Sequence, residues 1–457
     1  METNKVYFVG IGGIGMAALA RYYLSKGYNV AGYDRAPSAL THALEREGAR
    51  VSYDDSMDAI PTDFRADGAA LVVYTPAVPA DNVPLSYFRQ HSFPVLKRSA
   101  VLGILTQGSK GLCFAGTHGK TTTSSMAAHI LHTAKVGCNA FLGGILRNYD
   151  SNLLLSATSP YTVIEADEYD RSFHTLTPYI AVITATDPDH LDIYGNEENY
   201  LESFAHFTSL IRPDGILLVH EGLKLKPRPV AGVKTYTYNR DSGDFHAQNV
   251  RYGEGTIVFD FVHPGGVIAD VELGVPVEIN IENAVAAMAA CWLTGDVEPD
   301  DMRKAMASFM GAERRFQFLL KEAGPDGKVV IDDYAHHPDE LKMSIKSVRA
   351  LYPGRRLTVA FQPHLYTRTR DFAPEFAEAL SLADEVVMVD LYPAREEPIP
   401  GISSSTILDL VKCDNKTLCA KEDFVDTMKN RNFEVLLALG AGDLSFCLPE
   451  LVEQIKA

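Results

Sequence analysis

Residues 111–123 read Gly111-Leu112-Cys113-Phe114-Ala115-Gly116-Thr117-His118-Gly119-Lys120-Thr121-Thr122-Thr123. The first five are short and apolar, as a buried strand is, and a glycine-bounded turn, a lysine and a run of hydroxyls then open a helical pattern. A strand, a glycine turn and a helix N-terminus in succession aim main-chain N–H groups and one ammonium at an anion, which is how nucleotide phosphates are held. Gly116, Thr117, His118, Gly119, Lys120, Thr121 and Thr122 are therefore the candidate nucleotide contacts. Lys120 is expected to reach the β- and γ-phosphates of ATP, and the Thr121 hydroxyl to ligate Mg²⁺. The usual spacing would put the first glycine at position 114, where this chain has Phe114, so the loop is a shortened variant. Cys113 beside it reads as a small buried strand residue.

Working outward, apolar strands are expected at 161–164 and 180–184, each finishing in polar or acidic residues. Glu165 and His190 follow them and fall at the carboxyl edge of a parallel sheet, beside the loop. Magnesium takes oxygen ligands and keeps several waters, so Thr121 and Glu165 suffice as a start and His190 is the weaker chemical candidate. Between 244 and 277 the pattern turns to short β-type runs with turn signals such as Gly253-Glu254-Gly255, read as an antiparallel addition to the sheet, and helices at 282–293 and 299–309 close the block.

Upstream, strands at 5–9, 28–33 and 69–74 alternate with helices at 15–26 and 99–105, a doubly wound pattern. Gly10-x-Gly12-x-x-Gly15 follows the first strand, and Asp34 ends the second. Alone, that fingerprint suggests a dinucleotide with Asp34 on a ribose, though no second dehydrogenase feature accompanies it. Thr75, after the third strand, is either a ligand contact or a turn cap. Downstream, strands at 329–332, 356–361, 385–389 and 435–439 alternate with helices at 338–351 and 373–382, a second doubly wound unit. The fold expected is α/β in three domains: a Rossmann-like domain over 1–107 ending in the linker Gln107-Gly108-Ser109, a central P-loop ATPase-type domain over 108–311, and a Rossmann-like domain over 312–457.

Bulk properties bound the function. A formal net charge of −17 argues against a general nucleic-acid or anionic-membrane surface, because counterion release needs clustered Lys and Arg. No stretch approaches the roughly 20 apolar residues of a membrane helix, so no membrane insertion is expected. Met1 to Lys5 lead straight into Val6–Val9 without a signal-peptide pattern, and the six cysteines form no C-x-x-C pair, so a reducing cytoplasm is expected.

The motifs resemble the ATP-dependent Mur ligases of bacterial cell-wall synthesis. The resemblance rests on the loop 116–123, on Glu165-Ala166-Asp167-Glu168 and Thr186-Asp187-Pro188-Asp189-His190-Leu191-Asp192, and on Asn280-x-x-Asn283-Ala284. Further matches are Glu313-Arg314-Arg315-Phe316, Asp332-Asp333-Tyr334-Ala335-His336-His337-Pro338 and Phe361-Gln362-Pro363-His364-x-Tyr366-Thr367-Arg368-Thr369-Arg370. Within that family the pattern is most similar to members that add L-alanine to UDP-N-acetylmuramate, which implies phosphorylation of the lactyl carboxylate by ATP and attack of the alanine amine on the acyl phosphate.

The resemblance also implies roles. His190 becomes a second metal ligand, Asn280 and Asn283 contact the nucleotide, and Arg314 lies near the γ-phosphate. Tyr334, His336, His364 and Arg368 form the amino-acid site, with Arg368 forked onto the α-carboxylate. The turn Gly12-Gly13-Ile14-Gly15, with Asp34 and Thr75, takes the uridine diphosphate of the sugar. The catalytic set is then Lys120, Glu165, His190, Arg314, His336 and Arg368, in a monomer or weak homodimer. Ile279 and Leu365 stand where many relatives carry histidine and arginine, and Tyr169 and Ala335 are more like the murein tripeptide-recycling members. That recycling activity, and a non-catalytic nucleotide sensor, are the alternatives.

Overall fold

The protein is described here by a computed structural model that covers residues 4–66, 68–253, 255–322, 324, 327–394 and 396–456. Two compact units partition the chain: Met1–Gln248, Asp260–Val271 and Glu282–Ala307 in the first, and Asn249–Phe259, Glu272–Ile281 and Ser308–Ala457 in the second.

Within the first unit, β1 (Lys5–Val9), β2 (Asn29–Tyr33), β3 (Arg50–Ser52), β4 (Leu71–Tyr74) and β5 (Val95–Lys97) form a parallel sheet in the order β3-β2-β1-β4-β5. The order reverses between β1 and β4, so a crevice opens beyond their carboxyl ends, where such sheets take ligands. The helix Ile14–Ser25 leaves β1 through the glycine turn, and the helix Arg98–Gln107 leaves β5. The latter runs through Gln107, leaving only Gly108 and Ser109 of the expected linker ahead of the next strand.

The second sheet comprises β6 (Lys110–Ala115), β7 (Asn139–Leu146), β8 (Ser151–Leu154), β9 (Tyr161–Ala166), β10 (Ile180–Ile183), β11 (Ile216–His220) and β12 (Lys234–Tyr238), in the order β12-β11-β10-β6-β9-β7-β8. All neighbours pair in parallel except the β7–β8 hairpin at the edge. Strand β6 is central and wholly apolar from Leu112 to Ala115, as a strand covered on both faces must be. One contiguous core runs from Phe8, Leu19 and Val73 to Ile164, Ile183 and Phe204; full burial of such side chains is worth about 1.5–3 kcal/mol each.

The segment expected as an addition to this sheet instead makes a sheet of its own, β13 (His246–Gly253), β14 (Thr256–His263) and β15 (Gly266–Glu272). The helix after it spans Ile279–Trp292, so Asn280 lies in its first turn.

In the second unit, β16 (Gln317–Lys321), β17 (Val329–Asp333), β18 (Leu357–Phe361), β19 (Glu385–Val389), β20 (Asn415–Cys419) and β21 (Val435–Leu439) are ordered β16-β17-β21-β18-β19-β20. The five from β17 to β20 along the sheet are parallel, and β16 is an antiparallel edge strand. Val330, Ala360, Val387, Leu436 and Leu448 share its core.

Candidate active site

Register decides what meets at the phosphate loop. Ala115, the last residue of β6, pairs with Ala166 of β9 on one side and Ile183 of β10 on the other. The three chains therefore leave the sheet side by side. Gly116 has φ +144°, and a Cβ there would lie 2.1 Å from Thr184 Oγ1; Gly119 has φ +83° and would meet Asn283 Oδ1 at 2.7 Å. Both positions need glycine on backbone and steric grounds alike. Thr184 Oγ1 donates to the His118 carbonyl at 2.5 Å, and Thr117 N donates to Ala185 O at 3.1 Å, which locks the turn against β10. Thr117 Oγ1 also donates to Asp187 O. The helix Lys120–Thr133 has no side-chain cap and no acid in its first turn, so its first N–H groups are open to an anion.

Lys120 Nζ donates to Gly116 O at 2.6 Å and to Glu168 Oε1 at 2.9 Å, and Glu168 is 1% exposed. Burial pushes the Glu168 carboxyl up and the Lys120 ammonium pulls it back. Thr121 Oγ1 donates to Glu165 Oε1 at 3.0 Å, while Gly143 N donates to Glu165 Oε2 at 2.9 Å. Here too burial is the main force raising the carboxyl. Glu165 is inside β9 rather than just past it. The Thr121 and Glu165 oxygens thus share one spot, the donor chemistry a hard cation selects. His190, with φ +52°, sets its ring edge-on to Tyr169 at 5.2 Å. No hydrogen bond or ion pair ties it to Thr121 or Glu165 among the described residues, nor do three His, Cys, Asp or Glu side chains gather there as a metal cluster. Magnesium tolerates that sparseness, since waters and phosphates complete its octahedron.

Asn283 accepts from Thr123 Oγ1 at 3.2 Å and so reaches the loop, whereas Asn280 is buried and donates to Val275 O. Cys113 is fully buried, and its thiol is pushed up by burial alone.

At the amino-terminal turn, the helix Ile14–Ser25 likewise lacks a side-chain cap and first-turn acids. Gly12 N is not open, because it donates to Asp34 Oδ2 at 2.6 Å. A cleft of about 320 Å³ runs from Gly13, Ile14, Gly15 and Thr75 to Gly143, Glu165 and Asp167. It joins the glycine turn to the carboxylate beside Thr121.

The second unit holds the other cluster, at the carboxyl ends of adjacent strands β17, β21 and β18. His336 Nδ1 lies 3.0 Å from Tyr334 O and 3.4 Å from Glu340 Oε2; its ring is 5.2 Å from Tyr334 and 6.2 Å from His364. Burial lowers the pKa of both histidines, and the Arg368 charge lowers them further. Arg368 Nη1 and His364 Nδ1 are buried without hydrogen-bond partners among the described residues. Arg314, at φ +56°, stacks over Tyr334 at 4.9 Å and donates to the carbonyls of Gly440 and Gly442. Asp332 nearby is pushed up to about 6 by burial, against the pull of Arg314. Leu365 has φ +71° and supplies no cation to the cluster.

Several members of these clusters escaped the sequence reading. Glu168 lay inside a quoted motif without a role. Gly143 and Arg98, which line the cleft, and Tyr392, which stacks on His364, come from distant segments, whereas Glu340 stands four residues after His336. Glu168 and Glu340 could have been found from spacing, since one follows a strand that already supplies Glu165 and the other stands at the capping position three residues after His337.

Nucleotide loop, acidic strand end and doubly wound flanking sheets define an ATP-using ligase fold, and the comparisons agree. The Mur ligase middle domain matches residues 114–291, the Mur ligase family catalytic domain 5–110, and the Mur ligase glutamate ligase domain 314–447. The chain belongs to the Mur ligase family. It is 59% identical over 460 residues to the UDP-N-acetylmuramate--L-alanine ligase of Parabacteroides distasonis, covering 100% of this chain and 98% of that one. It is 57% identical to the protein of the same name from Phocaeicola vulgatus, over 99% and 98% of the two chains. Among solved structures, the UDP-N-acetylmuramate-alanine ligase of Thermotoga maritima superposes with a TM-score of 0.79 at 27% identity, over 99% of both chains. A murein peptide ligase from Psychrobacter arcticus shares the fold, with a TM-score of 0.61 at 20% identity over 99% and 98%. No helix among the described residues is long and apolar enough to cross a membrane.

Proposed function

We propose that this chain joins L-alanine to the lactyl carboxylate of UDP-N-acetylmuramate, with ATP, in cytoplasmic synthesis of peptidoglycan precursors. The carrying observation is the cleft that leads from the glycine turn to Glu165, because it would lay the sugar nucleotide's carboxylate beside the loop that holds the γ-phosphate. Residues 1–107 would bind the sugar nucleotide, 108–311 ATP and 312–457 alanine.

In the first step a carboxylate oxygen attacks the γ-phosphorus and ADP leaves, giving an acyl phosphate. Lys120 and the open amides of the helix Lys120–Thr133 hold the phosphates in line, which matters because phosphoryl transfer depends on positioning and charge neutralisation. Thr121 and Glu165, with His190 as third candidate, would hold Mg²⁺, which supplies electrostatic stabilisation of the transferring phosphoryl oxygens. In the second step the alanine amine attacks the acyl carbon, the tetrahedral intermediate expels phosphate, and the amine loses a proton. Arg368 would hold the α-carboxylate through its unpartnered buried nitrogen. His336 commits Nδ1–H to the Tyr334 carbonyl, and burial keeps the ring neutral, so Nε2 is free to take that proton. Asn283 would contact the nucleotide; Asn280 and Arg314, both engaged with backbone carbonyls, would act by holding their turns.

The test is phosphate release coupled to product mass, with UDP-N-acetylmuramate, ATP and Mg²⁺ and either L-alanine or the murein tripeptide. Turnover with alanine is expected. Turnover with the tripeptide alone would make the chain a recycling ligase, and none with either would leave a nucleotide sensor.

A further inference from the structure

Arg98 begins the helix that follows β5, and its side chain packs against Gly15: a Cβ built on Gly15 would come 2.6 Å from Nη1 and 3.3 Å from Cδ. In a dinucleotide-binding turn the third glycine lets helix and strand pack closely. Here the space left by the missing side chain is filled by an arginine.

That arginine is underused by the protein. Among the described residues its one ion-pair partner within 4 Å is Asp167, with Nη2 to Oδ2 at 3.9 Å, too long for a hydrogen bond. Its side chain is 30% exposed, and no hydrogen bond to it is present among the described residues. Lys97, the residue before it, is by contrast tied to Asp170 at 2.9 Å.

Charge sharpens the point. The cleft from the glycine turn to Glu165 is lined by the carboxylates of Glu165 and Asp167, and Arg98 is the one cation lining it among the described residues. An anionic ligand entering such a cleft needs a counter-charge, and a guanidinium presents a planar fork matched to phosphate or carboxylate oxygens.

We propose that Arg98 is a substrate-binding residue that pairs with an oxyanion of the sugar nucleotide, either its diphosphate or its lactyl carboxylate. This rests on the reading that UDP-N-acetylmuramate occupies the cleft. Gly15 then has a defined role, because it lets the guanidinium settle over the first turn of the helix Ile14–Ser25.

Calorimetric Kd values for UDP-N-acetylmuramate and UDP-N-acetylglucosamine, which keeps the diphosphate and lacks the lactyl group, decide the matter in wild type, Arg98→Ala and Arg98→Gln. Steady-state KM for ATP serves as the control. We expect both variants to bind UDP-N-acetylmuramate roughly 10- to 100-fold more weakly, with the ATP KM within about 2-fold. An equal loss for both sugar nucleotides assigns Arg98 to the diphosphate, and a loss confined to UDP-N-acetylmuramate assigns it to the carboxylate. Unchanged Kd values in folded variants would overturn the inference while leaving the proposed reaction standing. A wild-type protein that binds neither ligand overturns both. Arg98→Gln keeps much of the packing stem, so it carries the test if Arg98→Ala does not fold, and Gly15→Ala, which displaces the guanidinium, should weaken binding in the same direction.

Discussion

Lys120 is held from behind as well as presented forwards. Its ammonium bridges the Gly116 carbonyl and Glu168, whose side chain is 2% exposed, so the loop lysine and a buried acid form one electrostatic unit. Removing one member of a buried pair strands the other, which commonly costs about 3–5 kcal/mol, whereas removing both costs far less. Lys120→Ala should therefore abolish phosphate release and also lower the free energy of unfolding by roughly 3 kcal/mol. Lys120→Ala combined with Glu168→Gln should stay inactive yet recover most of that stability. Urea unfolding of the two variants checks this, and equal stabilities would mean that Glu168 does not feel Lys120's charge. Glu168→Gln alone should leave ATP binding intact and lower kcat about 10-fold, because the lysine is no longer fixed in direction.

At the scale of elements, the helix Lys120–Thr133 carries the loop and is anchored at its far end by His129. That ring is 4% exposed, lies 2.7 Å from the Tyr149 hydroxyl, and has its pKa lowered by burial to about 4. The folded protein thus holds His129 neutral where the unfolded chain, near 6.5, already binds a proton. The stabilisation is complete above about pH 6.5 and is lost as pH falls towards 4, with a slope of at most about 1.4 kcal/mol per pH unit. Asp332, raised to about 6, works in the opposite direction, so the comparison must be with a variant rather than with a bare pH curve. In His129→Gln the stability difference from wild type should shrink as pH drops from 7 to 4.5, measured by urea unfolding across that range; a constant difference would place His129's proton elsewhere. The elements most readable in the sequence were those with one environment along their length. Strand β21 is apolar and buried throughout, as are β6 from Leu112 and β19 from Val386, and such runs can be read only one way. The β7–β8 hairpin was not legible, because Gly143 and Gly144 interrupt its pattern and its register shifts between Phe141 and Leu146. Edge strand β16 is short and half-buried, so its alternation is faint. The candidate site followed the same logic: the candidates named lie inside single motifs, while Arg98 and Gly143 line the cleft through chain crossings that spacing does not encode.

Across the whole molecule, a chain of net charge −17 is proposed to gather two anionic nucleotides and a zwitterion that each present an oxyanion, so its cations have to act locally. The structure distributes them between two compact units, with Lys120 and Arg98 in the first and Arg368 in the second. Binding energies drawn from residues without shared partners should separate cleanly. Arg368→Ala is therefore expected to raise the KM for L-alanine by roughly 10- to 100-fold, the loss of a charge-assisted pair, while Kd for ATP and for UDP-N-acetylmuramate stays within about 2-fold. Arg368→Lys should rescue little, since an ammonium cannot reproduce the fork of a guanidinium whose Nη1 is already buried and unpartnered. Steady-state kinetics with alanine varied at saturating nucleotides, alongside calorimetry for the two nucleotides, reads both halves. An equal rise in the Kd for ATP would remove Arg368 from the amino-acid site, because a residue that served both ligands could not belong to a cluster built around one.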